Sequence, residues 1–185
     1  TSSTESYNVA VGYAAGNSVT TGVSNTLIGG LAGDALTSGN SNVALGFNAL
    51  TADTLGDRAV AIGLNALASQ NFTSSTDNYN VGVGYQAGYA VTTGSQNTMI
   101  GGLAGDATTT ADNITAVGYH ALSANTTGTQ NVAVGSLTLD ANTTASNNTA
   151  VGHAALGANT TGAENTVVGA LAGDALTTGV GNVAV

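Results

Sequence analysis

The sequence predicts an all-β fold, a single-stranded parallel β-solenoid in which the chain coils into stacked rungs. The first observation is a short string, Asn8-Val9-Ala10-Val11-Gly12, whose pattern occurs in ten copies. The second is the period, because consecutive motif glycines lie 17 residues apart, with one interval of 21. A period this short is typical of one rung per repeat. The motif glycines are Gly12, Gly29, Gly46, Gly63, Gly84, Gly101, Gly118, Gly135, Gly152 and Gly169.

These repeats predict one continuous solenoid over residues 1–185, with ten full rungs. An eleventh copy begins at Asn182. The single interval of 21 residues predicts a loop insertion within residues 69–79 that bulges outward and leaves the stack intact. Because the chain starts and stops inside repetitive sequence, we expect it to be a fragment of a longer fibre.

Columns of equivalent residues predict which side of the strand faces inward. Positions are counted from the motif glycine, so that position −1 is the residue before it. Position −1 is always aliphatic, as at Val11, Ile28 and Leu45, and position −3 is Val or Thr. Side chains alternate between the two faces of a strand, so these columns share one face, which we predict to be the interior. Alanine at position +3 in nine of ten rungs predicts a narrow lumen.

Two further columns vary together. Rungs with Leu at position +4, such as Leu50 and Leu122, carry a polar residue at position +7. Most rungs with Gly at position +4 instead carry Val or Leu at position +7, although Gly105 is followed by Thr108. One bulky side chain per rung therefore fills the same space from alternative origins, as close packing requires.

A higher period of four rungs predicts a subunit interface. Residues 7–36 and 79–108 are close copies, and a third echo begins at Asn165. The second rung of this unit carries large apolar residues at positions −2 and +2, where we expect the side chains to face outward. Recurring outward apolar residues mark interfaces, so they predict the seam of a parallel homotrimer. The predicted seam residues are Leu27, Leu31, Met99, Leu103, Val167 and Leu171.

The composition excludes several classes of partner. Ten acidic residues and a single basic one, Arg58, give a formal net charge of −9. Nucleic acids and anionic membrane surfaces both require a basic surface, so neither is predicted as a partner. No apolar run approaches the roughly 20 residues of a membrane helix. The absence of cysteine removes disulfides and thiolate metal sites.

No catalytic, cofactor or metal site is predicted. His120 and His153 follow their motif glycines by different numbers of residues and therefore point to different sides. Acyl and phosphoryl transfer lack their usual electrophile stabilisers, so we do not expect an enzyme. Calcium prefers oxygen ligands, and three chains around an axis would cluster copies of one aspartate. The alternative for these aspartates is a solvated or corner-capping role; they are Asp34, Asp106, Asp140 and Asp174.

Two outward columns are candidates for binding. Aromatic rings at position +1 are candidate glycan contacts, or else they cover a seam or corner of the rod; they are Tyr13, Phe47, Tyr85 and Tyr119. Pairs such as Thr20-Thr21 close most rungs, and arrays of regularly spaced threonines are typical of ice-binding solenoids. Because adjacent residues alternate in direction, only one threonine column is predicted to face outward.

The repeats resemble those of two related groups of proteins. Residues 148–162 (NTAVGHAALGANTTG) and 115–128 (TAVGYHALSANTTG) are similar to the repetitive shaft of bacteriophage tail fibres and to the head domain of trimeric autotransporter adhesins. The 17-residue period favours the fibre group. This resemblance implies a left-handed, trimeric, extracellular rod on a virion or a bacterial surface, which carries or displays receptor- or glycan-binding surfaces. An ice-binding solenoid and a self-assembling surface-filament subunit are the alternatives.

Overall fold

The computed structural model describes residues 5–185, and these form an all-β parallel solenoid with rungs of about 17 residues. The described residues contain no helix, so the predicted fold class is confirmed. The strands are β1 (Val9–Val11), β2 (Thr26–Ile28), β3 (Val43–Leu45), β4 (Gly56–Asp57), β5 (Val60–Ile62), β6 (Thr76–Asp77), β7 (Val81–Val83), β8 (Thr98–Ile100), β9 (Thr115–Val117), β10 (Val132–Val134), β11 (Thr149–Val151), β12 (Thr166–Val168) and β13 (Val183–Ala184).

Eleven of these strands form one parallel sheet in chain order, β1-β2-β3-β5-β7-β8-β9-β10-β11-β12-β13. The register follows the repeat, since Val9 pairs with Thr26 and Val11 with Ile28. Pairing of Val60 with Val81 continues this register across the 21-residue interval. Strand β6, which lies within that interval, pairs with β4 before it and forms a second, two-stranded sheet. Equivalent residues of successive rungs therefore lie in straight rows along the rod.

Corners are made by residues with left-handed backbone conformations. The ten motif glycines have φ between 129° and 138°. Positions −5, +2 and +4 also have positive φ in the rungs, as at Ser41, Asn48 and Leu50. The motif glycine is required by stacking as well, because a Cβ at Gly46 would lie 2.6 Å from the carbonyl oxygen of Gly63. The repeat thus places glycine where both the backbone angle and the next rung exclude a side chain.

The structure shows that the predicted assignment of the strand faces is wrong. Positions −1 and −3, which were predicted to be interior, point outward: Val11 is 57% exposed and Leu45 is 42% exposed. Position −2, which was predicted to be outward, points into the lumen, where Leu27 and Met99 are fully buried. Alternation identifies the columns that share a face. Because both faces carry apolar residues, alternation alone could not identify the interior.

Large side chains reach the lumen from positions −2, +4 and +7, and rung two uses both Leu27 and Leu36. Wherever position −2 is larger than alanine, position +4 is glycine, as in the pair Leu27 and Gly33. A Cβ at Gly33 would lie 2.7 Å from Leu27 Cδ2, and one at Gly105 would lie 2.6 Å from Met99 Sδ. Met99 therefore fills the rung that lacks a large residue at both +4 and +7. This accounts for the rung that departs from the predicted exchange.

A buried row of asparagines at position −4 connects the rungs. The backbone N–H of Asn25 donates to Asn8 Oδ1 over 2.8 Å, and Asn25 Nδ2 donates to the carbonyl of Gly39 over 2.8 Å. This pattern recurs along the rod, for example from Asn42 to Asn25. Each amide thereby satisfies backbone groups that the narrow lumen hides from water.

The insertion repairs a gap in this row. Rung four has Ala59 at position −4, so no amide is present there to accept from the next rung. Asn78, within the inserted segment, takes its place, and its Oδ1 accepts the backbone N–H of Asn80 over 2.9 Å. Asn78 Nδ2 also donates to the carbonyl of Asp57 over 2.7 Å. The four extra residues therefore supply the hydrogen bonds that the substituted rung lacks.

Candidate functional site

The broad outer surface of the eleven-stranded sheet is the most distinctive surface of the rod. We call it the strand face, and it consists of positions −3 and −1 in every rung. Position −3 contains only Val and Thr, and position −1 contains only Val, Ile and Leu. Among its 22 positions only Leu45 is not β-branched, and none is charged.

This strand face is open to solvent in the single chain. None of its residues is buried, and Ile100 and Val168 are 39% and 43% exposed. At the usual strand separation it forms a strip about 48 Å long, with its two columns roughly 7 Å apart. β-branched side chains have few rotamers, so the strip is rigid as well as largely apolar. Position −1 is apolar in every rung, and extended exposed apolar surface is typical of interaction sites.

The predicted seam residues do not form this surface. Leu27, Met99 and Val167 are 0–1% exposed and belong to the lumen, so they cannot form an outward seam. These three side chains pack in the lumen, where the glycine at position +4 of the same rung leaves room for each of them. The other three residues lie at position +2, where Leu31 and Leu103 are half-buried and Leu171 is exposed. A signal for this arrangement was present in the sequence, namely the joint variation of positions −2 and +4.

The aromatic residues at position +1 are all exposed, from Tyr85 at 50% to Tyr13 at 82%. They follow the motif glycine, where the chain turns away from the strand. A Cβ at Gly30 would lie 3.1 Å from Phe47 Cδ2, so an edge of that ring lies over the glycine of the preceding rung. The residues of this aromatic row are Tyr13, Phe47, Tyr85 and Tyr119.

The paired threonines form a single outward column, and the first of each pair is used internally. Thr20 Oγ1 donates to the carbonyl of Thr37 over 3.1 Å, and Thr109 Oγ1 donates to that of Thr126 over 3.1 Å. The second threonine, for example Thr127, is exposed. This corner therefore offers a hydroxyl array only one column wide.

The candidate histidines and aspartates do not converge on one another in the described part of the chain. Among residues 5–185, no three His, Asp or Glu side chains converge as metal ligands. Asp34 Oδ1 accepts from Thr51 Oγ1, at the same position of the next rung, over 2.6 Å. His120 packs edge-on against Tyr119, with ring centroids 4.4 Å apart. His153 lies two rungs further, about 10 Å along the rod.

Two carboxyl groups have perturbed acidities. Burial raises the pKa of Asp53, against the opposing effect of hydrogen bonds from Gln70, Phe72 and Gly56. Burial also raises the pKa of Asp106, whose Oδ1 is buried without a hydrogen-bond partner among the described residues. Asp53 is part of a buried polar row at position +7, where Gln70 Nε2 donates to its Oδ2 over 2.7 Å. Sequence reasoning identified this position only as polar.

Three charged residues, Asp57, Arg58 and Asp77, interact at the insertion. The guanidinium of Arg58 pairs with the Asp77 carboxylate and lies 5.7 Å from the centre of the Tyr79 ring. Asp57 accepts from Ser75 Oγ over 2.7 Å, and from the backbone N–H of Asn40 over 2.6 Å. These contacts bind the inserted segment to the neighbouring rungs and create no concave site.

Ligands would have to bind on open surface, because no cleft or cavity is present within the described part of the rod. Nor does any described residue belong to a helix long and apolar enough to cross a bilayer. In comparisons with family models, with curated proteins and with solved structures, nothing matches the chain.

Proposed function

We propose that this chain is a non-catalytic structural segment of an extracellular fibre, in which copies associate through the strand face. The observation that carries the proposal is the uncharged, rigid and largely apolar strip that runs the length of the sheet. Covering such a strip removes it from water, at roughly 25 cal/mol for each square ångström of apolar area. The rod would hold or display a binding surface away from its particle.

A parallel homotrimer is the assembly we favour. Cyclic symmetry about an axis parallel to the rod brings the same rows of every copy together at each level. Straight rows in strict register make this contact continuous. The number three comes from the resemblance to tail-fibre shafts and autotransporter heads, as does the location on a virion or a bacterial surface. Glycan binding by several sites along such a rod would be multivalent.

Sedimentation of the purified chain tests this assembly. We expect the mass of three chains, and we expect the double variant Ile28→Glu/Val117→Glu to sediment as a monomer with an unchanged β-type circular dichroism spectrum. Both side chains are only half-buried in the single chain, so a carboxylate remains hydrated there but is desolvated in the assembly.

The matched control is Thr93→Glu/Thr127→Glu, which places the same charges in an exposed column outside the strand face. It should leave the trimer intact. A monomeric wild-type chain at tens of micromolar, or an oligomer that survives the strand-face charges, would refute the proposal.

Ice binding is the second candidate, and the strand face is the observation that favours it. Its rungs present β-branched residues in a regular two-column lattice, including the five threonines at position −3. This array differs from the corner threonine column considered from the sequence, and it is twice as wide. The threonines are Thr26, Thr98, Thr115, Thr149 and Thr166.

Thermal hysteresis separates the two candidates, because a strand face covered by other copies cannot contact ice. Clear hysteresis from a monomeric protein, abolished by Thr115→Tyr and retained by Thr127→Tyr, would establish ice binding and displace the fibre proposal. A self-assembling filament of copies stacked head to tail is a further alternative. It would appear as open-ended polymers in sedimentation rather than one closed species.

A further inference from the structure

We propose that the aromatic row binds an extended, uncharged β-1,4-linked polysaccharide that lies parallel to the rod. This binding site goes beyond the structural role above, because the row lies at position +1, outside the strand face as defined. Its members are Tyr13, Phe47, Tyr85 and Tyr119, in rungs one, three, five and seven.

The spacing of the row selects the ligand. Aromatic residues occur at every second rung, so neighbouring members are about 9.6 Å apart along the rod, and the whole row spans roughly 29 Å. In an extended β-1,4-linked chain, successive sugars are rotated so that every second one presents the same face. Its disaccharide repeat is close to two rungs. A strictly parallel stack keeps the spacing between neighbouring rings constant, whereas a coiled α-1,4-linked chain has no extended repeat of this length.

The rings are placed as open platforms. Each is at least half exposed, and the rungs between them carry Gly30, Leu64 and Gly102 at the same position. A Cβ at Gly30 would lie 3.1 Å from Phe47 Cδ2, and one at Gly102 would lie 3.6 Å from Tyr119 Cδ2. The two glycines therefore leave room for each ring to lean over the preceding rung. Aromatic faces stack well on flat partners with apolar surfaces, such as the C–H face of a sugar ring.

Free polar groups accompany the rings. Asn48, Gln86 and His120 directly follow Phe47, Tyr85 and Tyr119, and Asn65 lies at the same position between them. These four side chains are partly exposed, and no side-chain hydrogen bond engages them within residues 5–185. Amide and imidazole groups beside an apolar platform are suited to sugar hydroxyls, because they both donate and accept hydrogen bonds.

Charge restricts the ligand to a neutral polymer. Positions +1 and +2 carry no lysine, arginine, aspartate or glutamate in any rung, and the formal net charge of −9 repels sulfated or uronic-acid chains. Uncharged glucan-type and chitin-type chains share the geometry described above. Comparing oligomers of glucose with oligomers of N-acetylglucosamine distinguishes these two sources.

The test is calorimetric titration of the full chain with cellohexaose, chitohexaose and, as the coiled control, maltohexaose. We expect at least one β-1,4-linked hexasaccharide to bind and maltohexaose not to bind. Phe47→Ala and Tyr85→Ala should each weaken binding by about tenfold, as the loss of one stacked ring does in other aromatic platforms. Tyr89→Ala removes an exposed ring outside the row and should leave affinity unchanged.

A swap variant, Phe47→Leu/Leu64→Phe, tests the spacing itself. It keeps the composition of the row but shifts one ring by a single rung, so it should bind as weakly as Phe47→Ala while the circular dichroism spectrum is retained. Undiminished affinity in the swap variant would overturn the proposal, as would equal binding of maltohexaose or no binding at millimolar concentrations. Sedimentation of the same samples reports separately on the assembly of copies, so the two proposals fail independently.

Discussion

At the scale of single residues, left-handed backbone positions decide which side chains a rung accepts. Five leucines at position +4, including Leu50 and Leu122, have φ between 49° and 55°. A left-handed conformation costs roughly 1–2 kcal/mol for a residue with a Cβ. These leucines are fully buried, and burying a leucine side chain contributes about 1.5–3 kcal/mol, which offsets that cost. Position +4 therefore alternates between glycine, which avoids the strain, and leucine, which fills the lumen.

The motif glycine has no such alternative. We expect Gly46→Ala to lower the free energy of unfolding by roughly 2–5 kcal/mol, because strain at φ 137° adds to a clash with the backbone of Gly63. Denaturant titration followed by circular dichroism measures the change. Gly181→Ala is the control, since its φ is also positive but no atom lies within 4 Å of the added Cβ. Equal destabilisation by the two variants would show that the clash with the next rung does not contribute to the effect of Gly46→Ala.

Asp53 predicts a pH dependence. Its pKa is raised in the folded chain by burial, so folding favours the protonated acid. Protonated Asp53 therefore stabilises the folded chain at pH values below the pKa of the unfolded chain, near 3.8. This stabilisation is lost as the pH rises through the higher pKa that Asp53 has in the folded chain. Asp53→Asn should remove this part of the pH dependence and flatten the melting temperature between pH 4 and pH 8. An unchanged slope in thermal melts would show that Asp53 is not its source.

At the scale of the rung, residues from three positions share one lumen. We expect Gly105→Leu to destabilise the chain by about 1–3 kcal/mol through its clash with Met99. The cavity left by Met99→Ala should cost about 2–5 kcal/mol. The double variant recreates the alanine and leucine combination of rung seven, Ala116 with Leu122, and should be more stable than either single variant. Additive effects in this double-mutant cycle would refute the shared-space explanation.

The same exchange explains what could be predicted from the sequence. Repeat period and glycine spacing identified the parallel solenoid, because those depend on chain geometry alone. Which strand face is interior depends on volume, and both faces are apolar. The pairs Leu27–Gly33 and Met99–Gly105 indicate in the sequence which face is interior. Interpreting them requires knowing that positions −2 and +4 meet across the lumen, which only the structure shows. The role of Asn78 was equally hidden, since it depends on where a loop returns to the stack.

At the scale of the whole molecule, the rod is a series of nearest-neighbour contacts. Stability of such a solenoid is approximately a sum over rungs and their interfaces. Charge contributes little, because Arg58 with Asp77 is the one ion pair in the described chain and both side chains are about half exposed. Hydrogen bonds between rungs and the packed lumen therefore supply the cohesion.

This picture predicts that a whole rung can be removed. Deleting residues 119–135 joins Gly118 to Ser136 and keeps every column in register, so the circular dichroism spectrum should be retained with only a small decrease in melting temperature. Deleting residues 119–127 removes about half a rung and should abolish cooperative unfolding, because every later side chain then meets the wrong neighbour. Equal tolerance of both deletions would contradict register-dependent stacking.

The inserted segment has a practical consequence. Thr73 and Ser74 are exposed at its tip, while Asn78 and Phe72 on either side are buried in the stack. A foreign peptide grafted between these anchors would be carried at a fixed height on a stiff scaffold. If copies do assemble side by side, the graft would be presented as a ring of identical epitopes, an arrangement useful in a vaccine carrier.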